Sequence, residues 1–321
     1  MNMANLWWAQ LLLVWLFLVG CAPSPAGLLR PNGIAVAPDG SLYVMDRGQS
    51  RVVHMSASGQ IIDAFGRLGR GPGDIYAGWD IGLDSAGNIY ICHQIFDIEG
   101  SYRVRDGIKV FSPTGRFWRE IGAQDYAYGD NITTNTPYGL VIDDQDRIFV
   151  ADFEANTVRV FDAGGRQIAR FFGEKGSQPG QFNGSGHLAV DRQRNLLYVS
   201  DESNSRVQQF NLTETASGGF EATFRLSFGS YGRAPGQLGY PQDIAVDENT
   251  GRVYVADMAN RHIQVFDPEG QFLLEFSPPG EWQVIGLDIG PDGAIYATDA
   301  LNNAVLIFEP DGQLRSRLEG R

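Results

Sequence analysis

A segment of 15 to 17 residues recurs six times along the 321-residue chain, and this repeat constrains the fold more than any other feature. The copies begin near residues 31, 79, 137, 186, 241 and 284. Each copy closes on Asp, except the second, which closes on His: Asp46, His93, Asp152, Asp201, Asp257 and Asp299. These closing residues lie 42 to 59 residues apart. Such a period is typical of repeat architectures, in which each copy forms one supersecondary unit.

Each copy has the same internal order of apolar runs and turns. In the first copy, the run Ile34–Val36 is followed by the turn Pro38–Gly40 and the run Leu42–Met45. A third and a fourth run follow, separated by a glycine turn such as Asp162–Gly165. Short β-branched and aromatic runs between Gly, Pro and Asp turns are typical of strands. Six copies of four antiparallel strands predict an all-β, six-bladed β-propeller over residues 31–321, with blade six closing the ring by packing on blade one.

Composition excludes some classes of function. The formal net charge is −13, and nucleic-acid binding needs a basic face, so we expect no nucleic-acid partner. The chain has two cysteines, which cannot form a disulfide framework. We expect the second of them, Cys92, to be buried in a strand.

The N-terminal residues read as an export signal. Leu6–Gly20 is apolar apart from Gln10, and fifteen residues fit the core of a signal peptide better than a membrane span. Leu18-Val19-Gly20-Cys21 resembles the lipobox of bacterial lipoproteins. This resemblance implies a signal peptide over residues 1–20, lipidation of Cys21 and a flexible tether over residues 21–30. It also implies an envelope protein anchored in the membrane, and in the outer membrane where a cell has two, because Ala22 follows the cysteine.

Cleavage of this signal is left open. Residues 1–5 carry no Lys or Arg, whereas signal peptides normally carry positive charge there. An uncleaved anchor or a misassigned start are the alternatives.

Three linkers between copies share the spacing G-x-x-G-x-x-P-G. They are Gly66–Asp74, Gly173–Gln181 and Gly229–Gln237. Together with turns such as Asn204-Ser205-Arg206 and Asn260-Arg261, this pattern resembles the NHL repeat family over residues 31–318. We interpret the closing aspartates as scaffold residues, which accept hydrogen bonds from turn backbone N–H groups and from Arg51, Arg206 or Arg261.

The residues around the start of each first strand break the sixfold repeat. In a propeller these positions face the mouth of the central channel, on the face that also carries the longer loops, and loops on a rigid scaffold often bind ligands. The candidate ligand-binding residues are Asn32, Trp79, Asp80, Tyr138, His187, Gln242 and Asp243. Asp80, His187 and Asp243 are also weak candidates for a Zn²⁺ or Ca²⁺ site. Alternatively, these residues have a structural role: His187 is a hydrogen-bonded histidine at the start of a strand, and Asp80 and Asp243 cap turns.

The longest insertion, Gln94–Gly107, is predicted to be a loop in blade two. Together with the closing histidine, it supplies the candidate partner-binding residues His93, Phe96, Tyr102, Arg103 and Arg105. The segment 124–136 is predicted to be a second variable loop on the same face.

These features favour a non-catalytic binding scaffold with no cofactor. We expect a monomer that holds an envelope protein, a peptide or a glycan. The alternative is a propeller enzyme that depends on Ca²⁺ or Zn²⁺. The resemblance extends to peptidyl-hydroxyglycine amidating lyases, but the positions matching their zinc histidines hold no His. A related calcium lactonase or esterase would need Glu at the innermost positions, and the sequence indicates none there.

Overall fold

A computed structural model of the chain describes residues 27–96, 103–125, 136–216 and 219–319. It contains 24 strands in six four-stranded antiparallel sheets, each built from four consecutive strands. The predicted six-bladed propeller is confirmed. The first strands begin within two residues of the predicted blade starts, with the largest difference in blade two, at Ala77.

The strands follow the order of the repeat. Those of blades one to three are β1 Pro31–Val36, β2 Leu42–Asp46, β3 Arg51–Met55, β4 Ile61–Phe65, β5 Ala77–Leu83, β6 Ile89–Phe96, β7 Arg103–Phe111, β8 Phe117–Asp125, β9 Pro137–Ile142, β10 Ile148–Asp152, β11 Thr157–Phe161 and β12 Gln167–Phe172. Those of blades four to six are β13 Ser185–Asp191, β14 Leu196–Asp201, β15 Arg206–Glu214, β16 Phe220–Phe228, β17 Pro241–Asp247, β18 Arg252–Asp257, β19 His262–Phe266, β20 Phe272–Phe276, β21 Val284–Ile289, β22 Ile295–Asp299, β23 Ala304–Phe308 and β24 Leu314–Leu318. Strands β1, β5, β9, β13, β17 and β21 are the innermost.

The hydrophobic core lies between blades rather than within them. Six clusters of buried side chains occur in the described residues, one at each blade-to-blade interface. At the seam of blades three and four, for example, Phe149 and Val160 pack with Leu197 and Phe210. One blade cannot bury both faces of its sheet, so stacking neighbours supplies the hydrophobic stabilisation.

The closing aspartates are scaffold residues, as predicted. Asp46 accepts hydrogen bonds from the backbone N–H of Leu29 at 2.8 Å and from Nε of Arg51 at 2.8 Å. Asp201 likewise accepts from Nε of Arg206 at 2.7 Å. The prediction for Arg261 is wrong.

In blade five, the residue that faces the closing aspartate across the hairpin is His262. It lies opposite Asp257 in the strand register, with Nε2 3.3 Å from Oδ2 of Asp257. Arg261 instead pairs with Glu281 at 3.2 Å. Because His262 sits where Arg51 and Arg206 sit in blades one and four, the strand register selects the partner of the aspartate.

Residues 27–30, the last part of the segment predicted to be a tether, pack against the ring. Leu28 is buried in the seam between blades six and one. The Gly27 carbonyl accepts hydrogen bonds from Gln49 and Arg51, and the Arg30 N–H donates to Asn303 at 2.8 Å. Residues 1–26, which include Cys21, lie outside the described residues.

Cys92 is fully buried in β6 and forms no disulfide within the described residues, as expected. No helix in the described ranges is long and apolar enough to cross a membrane.

Candidate functional site

The floor of the channel mouth is formed by one register position in each innermost strand. In each blade, one residue of the first strand pairs with the closing residue of the second strand, and the floor position lies two residues after it. The six residues are Gly33, Asp80, Gly139, His187, Asp243 and Gly286. Three are glycines, and the other three are all titratable.

The glycines let neighbouring strands approach closely. A Cβ on Gly139 would lie 2.6 Å from Cα of His187, and one on Gly33 would lie 2.8 Å from Cα of Asp80. Only a residue without a side chain fits such a gap. The charged residues therefore sit in a tightly closed layer.

The structure brings Asp80, His187 and Asp243 together, as the sequence predicted. Nδ1 of His187 lies 3.1 Å from Oδ1 of Asp243 and 3.6 Å from Oδ2 of Asp80. All three residues are buried. The cluster places one imidazole between two carboxylates in the floor of the mouth.

Each carboxylate of this cluster is also held by the backbone. Asp80 accepts hydrogen bonds from the N–H groups of Ile81 and Leu140, both at 2.8 Å. Asp243 accepts from Ile244 and Leu287, both at 2.7 Å. Leu140 and Leu287 belong to the next blade, so the aspartates join neighbouring blades.

This use of the carboxylates counts against the predicted metal site. In the part of the chain that the structure describes, no group of three or more His, Cys, Asp or Glu side chains is arranged to hold a metal ion. The three residues form a buried ion cluster, with oxygens already engaged by N–H groups. Their donor set therefore does not fit Zn²⁺ or Ca²⁺.

Two members of the cluster, Asp80 and His187, have raised pKa values. Burial raises the pKa of Asp80 to about 7. Burial lowers the pKa of His187, but the charges of Asp243 and Asp80 outweigh it and raise this pKa to about 9. The neighbouring carboxylates therefore favour the imidazolium form of His187.

Above the floor, the mouth is walled by aromatic and amide side chains. The rings of Trp79 and Tyr138 lie 4.7 Å apart, and Tyr138 packs edge-on against His187 at 5.3 Å. Nε2 of Gln242 donates to the Tyr138 hydroxyl at 3.3 Å. Asn32 and Gln242 are each 5% exposed. Trp79, Tyr138 and Gln242 thus form a connected group next to His187 of the ion cluster.

Glu202 is a further mouth residue, which the sequence reasoning missed. It follows the closing Asp201 of blade four and starts a short 3-10 turn, Glu202–Asn204. Its Oε1 would lie 2.2 Å from a Cβ on Gly186, so its side chain fills the space that Gly186 leaves empty. The innermost strands hold no Glu, as expected, and Glu202 reaches the mouth from the turn after the second strand. The glycine at residue 186, where other blades carry Asn, Trp, Tyr, Gln or Ile, was the available signal.

Glu202 is fully buried and holds its proton at neutral pH. The Tyr240 hydroxyl donates to its Oε2. Burial raises the pKa of Glu202 to about 8. Within the described ranges, its Oε1 has no hydrogen-bond partner.

Arg47 occupies in blade one the position that Glu202 occupies in blade four, directly after the closing aspartate. Its guanidinium carbon lies 3.9 Å from the centre of the Trp79 ring. Burial lowers the pKa of Arg47, and the charge of Arg30 adds to this effect. The stacked guanidinium adds a cation to the aromatic wall.

Besides Nδ1 of His187, which faces Asp243, three polar atoms at the mouth are buried without a hydrogen-bond partner among the described residues: Oδ1 of Asn32, Nε1 of Trp79 and Oε1 of Glu202. An unsatisfied buried polar atom costs on the order of 1–3 kcal/mol. Such atoms are rare in native proteins, and a bound polar ligand is one explanation for them.

The predicted partner-binding loop is largely a hairpin. Strands β6 and β7 pair as far as Phe96 and Arg103, so much of the insertion Gln94–Gly107 is sheet rather than loop. Phe96, Arg103 and Arg105 lie in these strands, and Tyr102 lies outside the described residues, as do residues 126–135 of the second variable loop.

His93 is not available to a partner. It is fully buried, and its Nε2 lies 2.5 Å from Oε1 of Glu120. This pair replaces the aspartate-centred contacts of the other blades.

A separate cleft of about 410 Å³ lies at the rim of blade five, lined by Arg233, Arg261, His262 and Glu275 among others. Several of its charged groups already pair, as His262 does with Asp257 and Glu275. The channel mouth, with its unpartnered atoms, is therefore the better candidate for a ligand site.

Comparisons with known proteins agree with the fold. The profile of the NHL repeat matches residues 28–55, 134–161 and 238–266. "Protein brain tumor" of Drosophila melanogaster is 35% identical over 106 residues, which are 33% of this chain and 9% of that protein. "NHL repeat-containing protein 3" of Homo sapiens is 25% identical over 181 residues, 48% of this chain and 50% of that protein. The chain thus spans half or less of the length of these curated relatives.

Solved structures with the same fold include an enzyme and a binding protein. The virginiamycin B lyase from Staphylococcus aureus superposes with a TM-score of 0.57 at 13% identity, covering 92% of this chain and 85% of the lyase chain. A chain of a nidogen/laminin complex superposes with a TM-score of 0.57 at 14% identity, covering 84% of this chain and 90% of the other. Identities this low support the fold alone. The chain is thus a six-bladed β-propeller, and its blades one, three and five match the NHL repeat.

Proposed function

We propose that this propeller is a non-catalytic binding scaffold, which holds a protein, peptide or glycan partner at the mouth of its channel. The observation that carries the proposal is the set of three unpartnered buried atoms, on Asn32, Trp79 and Glu202. One of them belongs to the Trp79–Tyr138 aromatic pair, and polar groups with aromatic sides are the usual lining of a ligand site. The nidogen/laminin complex is a precedent for binding on this fold.

Affinity selection with mass spectrometry tests this proposal. The purified protein is incubated with mixed peptides, oligosaccharides and envelope proteins, and the retained species are identified. We expect Trp79→Ala and Asn32→Ala to lose the retained ligand, while Arg166→Ala, which changes an exposed arginine, keeps it. Retention that survives both mouth variants would overturn the proposal.

One observation favours an enzyme as the second candidate. Glu202 holds a proton at neutral pH next to an unoccupied hydrogen-bonding position, and general acid–base catalysis needs such a group. Conversion of a retained ligand, abolished by Glu202→Gln, would favour the enzyme over the scaffold. The Ca²⁺- or Zn²⁺-dependent form is tested by elemental analysis and by the effect of EDTA on unfolding.

We further propose that the protein is exported and lipid-anchored in the cell envelope through Cys21, as a monomer. The lipobox-like sequence before Cys21 supports this proposal. Expression in a bacterium fed an alkyne fatty acid should label the wild-type chain and leave Cys21→Ser unlabelled. Equal labelling of both chains, or recovery of the wild type in the soluble fraction, would contradict the anchor.

A further inference from the structure

We propose that one arc of the propeller, around the point where the N-terminal segment meets the ring, lies against an anionic membrane surface. We call it the anchor-side arc and define it by six exposed residues: Leu29, Arg30, Arg67, Leu68, Arg70 and Leu301. The inference rests on the proposed membrane anchor and adds the surface through which the ring contacts the bilayer. Its basis is the distribution of exposed apolar side chains, the position of the chain exit and the division of charge between the two faces of the ring.

The exposed apolar side chains of the loops all lie on one face. This mouth face carries the segment before β1, the loops from second to third strands and the linkers between blades, whereas the opposite face carries the remaining turns. Nine large apolar side chains are exposed among the described residues, and five of them lie in outermost strands. No described turn of the opposite face holds one, and the remaining four lie on the mouth face: Leu29, Leu68, Tyr231 and Leu301. Single exposed apolar residues are ordinary, but their confinement to one face indicates a contact made by that face.

The N-terminal segment meets the ring on the mouth face of blade one. The Gly27 carbonyl accepts hydrogen bonds from the side chains of Gln49 and Arg51, which follow β2. Leu28 is buried in the seam between blades six and one, and Leu29, next along the chain, is exposed. The chain that precedes Gly27 therefore joins the ring beside Leu29.

The proposed anchor holds this part of the ring close to the membrane. From Cys21 to Gly27 the chain advances six residues, which reach about 20 Å when fully extended. An acylated Cys21 and an uncleaved apolar segment Leu6–Gly20 both place the bilayer within this reach. The blades next to Gly27 are therefore the first part of the propeller to meet the bilayer.

Three of the four exposed apolar residues of the mouth face lie around this point, and the fourth lies across the ring. The Arg30 N–H donates to Asn303 at 2.8 Å, which fixes the segment before β1 against the loop that holds Leu301. Leu68 lies in the linker from blade one to blade two, and Tyr231 lies in the linker from blade four to blade five, on the other side of the six-bladed ring. Contact through the anchor-side arc thus leaves the far side of the channel mouth open to the partner proposed above.

Basic residues accompany the apolar residues of the anchor-side arc. Arg67 and Arg70 flank Leu68, Arg30 follows Leu29, and all five side chains are exposed. At a membrane–water interface, an apolar side chain enters the acyl boundary while guanidinium groups contact the lipid phosphates. This combination of residues fits an anionic bilayer.

The opposite face would be repelled by the same lipids. Its turns carry twelve acidic and five basic side chains, whereas the described segments of the mouth face carry five acidic and seven basic ones. Asp97, Glu99 and Asp130, in the intervals 97–102 and 126–135 outside the described residues, raise the acidic number to eight, and the contrast remains. Charge therefore favours the mouth face over the opposite face as the side that meets an anionic membrane.

Quenching of a bimane fluorophore by brominated lipids tests the arc in the full chain, held in vesicles of phosphatidylcholine and phosphatidylglycerol. The fluorophore is attached to Leu68→Cys, Leu301→Cys, Tyr231→Cys or Gln313→Cys. Tyr231 occupies the linker position equivalent to Leu68 across the ring, and the exposed Gln313 lies on the opposite face of the blade that holds Leu301. We expect quenching at residues 68 and 301 to exceed that at residues 231 and 313 by about twofold or more. The wild-type chain is the labelling control, since acylation would block Cys21, and Cys92 is fully buried.

A second comparison tests the role of charge. Replacing both Arg67 and Arg70 by Gln should lower quenching at residue 301 by about half or more, and so should vesicles of phosphatidylcholine alone. Replacing Arg116 and Arg166, two exposed arginines of the opposite face, should leave it unchanged. Unfolding temperatures of all variants check that the fold is intact.

The outcomes separate the arc from the anchor on which it rests. Equal quenching at the four positions, in a chain that floats with the vesicles, would overturn the arc and leave the anchor standing. A wild-type chain that takes up the label and does not float would overturn both. Disulfide-linked dimers that form in detergent faster for Leu68→Cys than for Tyr231→Cys, without selective quenching in vesicles, would assign the arc to a second copy of the chain and overturn the membrane contact.

Discussion

Four buried titratable side chains around the channel hold protons more tightly in the folded chain than they would when unfolded. Burial raises the pKa of Asp80 and of Asp288 to about 7 and that of Glu202 to about 8. For His187, burial alone would lower the pKa, but Asp243 and Asp80 raise it to about 9. All four shifts have the same sign, although three groups are acids and one is a base.

This common sign predicts that stability falls as pH rises from 5 to 9. While the buried carboxyl groups are protonated, no charge is removed from water. As the pH rises toward 7 to 8, they ionise in the interior or retain a proton that the unfolded chain has lost, and either way the folded state becomes less stable. The His187 ion pairs stabilise the fold fully below pH 6.5 and lose this contribution as pH rises through 9. We expect the free energy of unfolding in urea to drop by about 2 kcal/mol or more between pH 7 and 9. A flat or rising profile would contradict these proton affinities.

Glu202→Gln isolates one of these groups. The amide cannot ionise, and its oxygen can still accept from Tyr240. We expect the variant to unfold at a higher temperature than the wild type at pH 9 and at nearly the same temperature at pH 5. Glu221→Gln, at an exposed position, is the control and should shift neither value. Equal shifts at both pH values would assign Glu202 a packing role.

At the scale of the strand, close approach of innermost neighbours depends on glycine at the floor layer. A Cβ on Gly139 would lie 2.6 Å from Cα of His187 and 2.9 Å from the Gly186 carbonyl oxygen. We expect Gly139→Ala to destabilise the fold by about 2 kcal/mol or more, because backbone atoms must move. Gly73→Ala, where the nearest atom would be 3.7 Å away, should change stability by less than about 0.5 kcal/mol. Chemical denaturation of the pair measures both, and similar values would refute a tight floor.

The glycine-rich linkers are held by a side chain from the third strand of the blade that follows. Nζ of the buried Lys109 donates to the carbonyls of Gly71 and Asp74. In the two other linkers, Gln208 and Gln264 donate to the carbonyls of Gln181 and Gln237. Amide and ammonium thus perform the same task at equivalent sites.

This equivalence predicts an order of stability for Lys109 variants. Lys109→Met removes the ammonium that donates to both carbonyls, while the Gly71 carbonyl keeps its hydrogen bond from the Asp74 N–H, and the loss should cost about 1–3 kcal/mol. Lys109→Gln should recover much of that loss, since Gln serves in blades four and five. Thermal unfolding ranks the three proteins. A Gln variant no better than Met would show that the other contacts of Lys109 decide its role.

At the scale of the whole ring, closure uses side chains and backbone, without a shared strand in the described residues. Asp288 of blade six accepts from the N–H of Val36 at 2.7 Å, and Thr298 donates to the Asn32 carbonyl at 2.6 Å. Leu28 fills the same seam with Val305 and Leu318. The predicted closure by packing of blade six on blade one is confirmed, with hydrogen bonds and Leu28 added.

Leu28→Ala should weaken this seam. Leu28 is 7% exposed, and truncating a buried leucine should cost about 2–3 kcal/mol. Its neighbour Leu29 is 37% exposed and gives the matched control, for which we expect less than about 1 kcal/mol. Urea unfolding and proteolysis of the seam report the difference. Equal losses in the two variants would mean that Leu28 does not contribute to closure.

Much of the architecture could be predicted because a repeat averages out local ambiguity. Alternating apolar runs, seen six times in register, mark strands, turns and blade starts, and the closing aspartates follow from their recurrence. The hairpin of blade two was missed because its strands extend past the repeat and hold polar residues such as Gln94 and Asp106. The repeat could not mark a segment that occurs once.

For the site, the residues that break the repeat at its innermost positions could be located, because symmetry places them at one mouth. Asp80, His187 and Asp243 do meet there. Glu202 and Arg47 could not be found in this way, because they follow the second strand and reach the mouth through the side-chain direction of a turn. The burial of His93 and the backbone contacts that occupy the two aspartates likewise depend on neighbouring blades.

The number of blades, their strand order and the ring of positions around the channel are therefore properties of the linear pattern, since period and alternation specify which faces must be buried. The distances between residues of different blades decide which side chains contact one another around the channel. They turn Asp80, His187 and Asp243 from a possible metal site into an ion cluster, and they stack Arg47 on Trp79. Charged residues that meet from different blades have no characteristic spacing in the sequence, so their contact cannot be predicted from it.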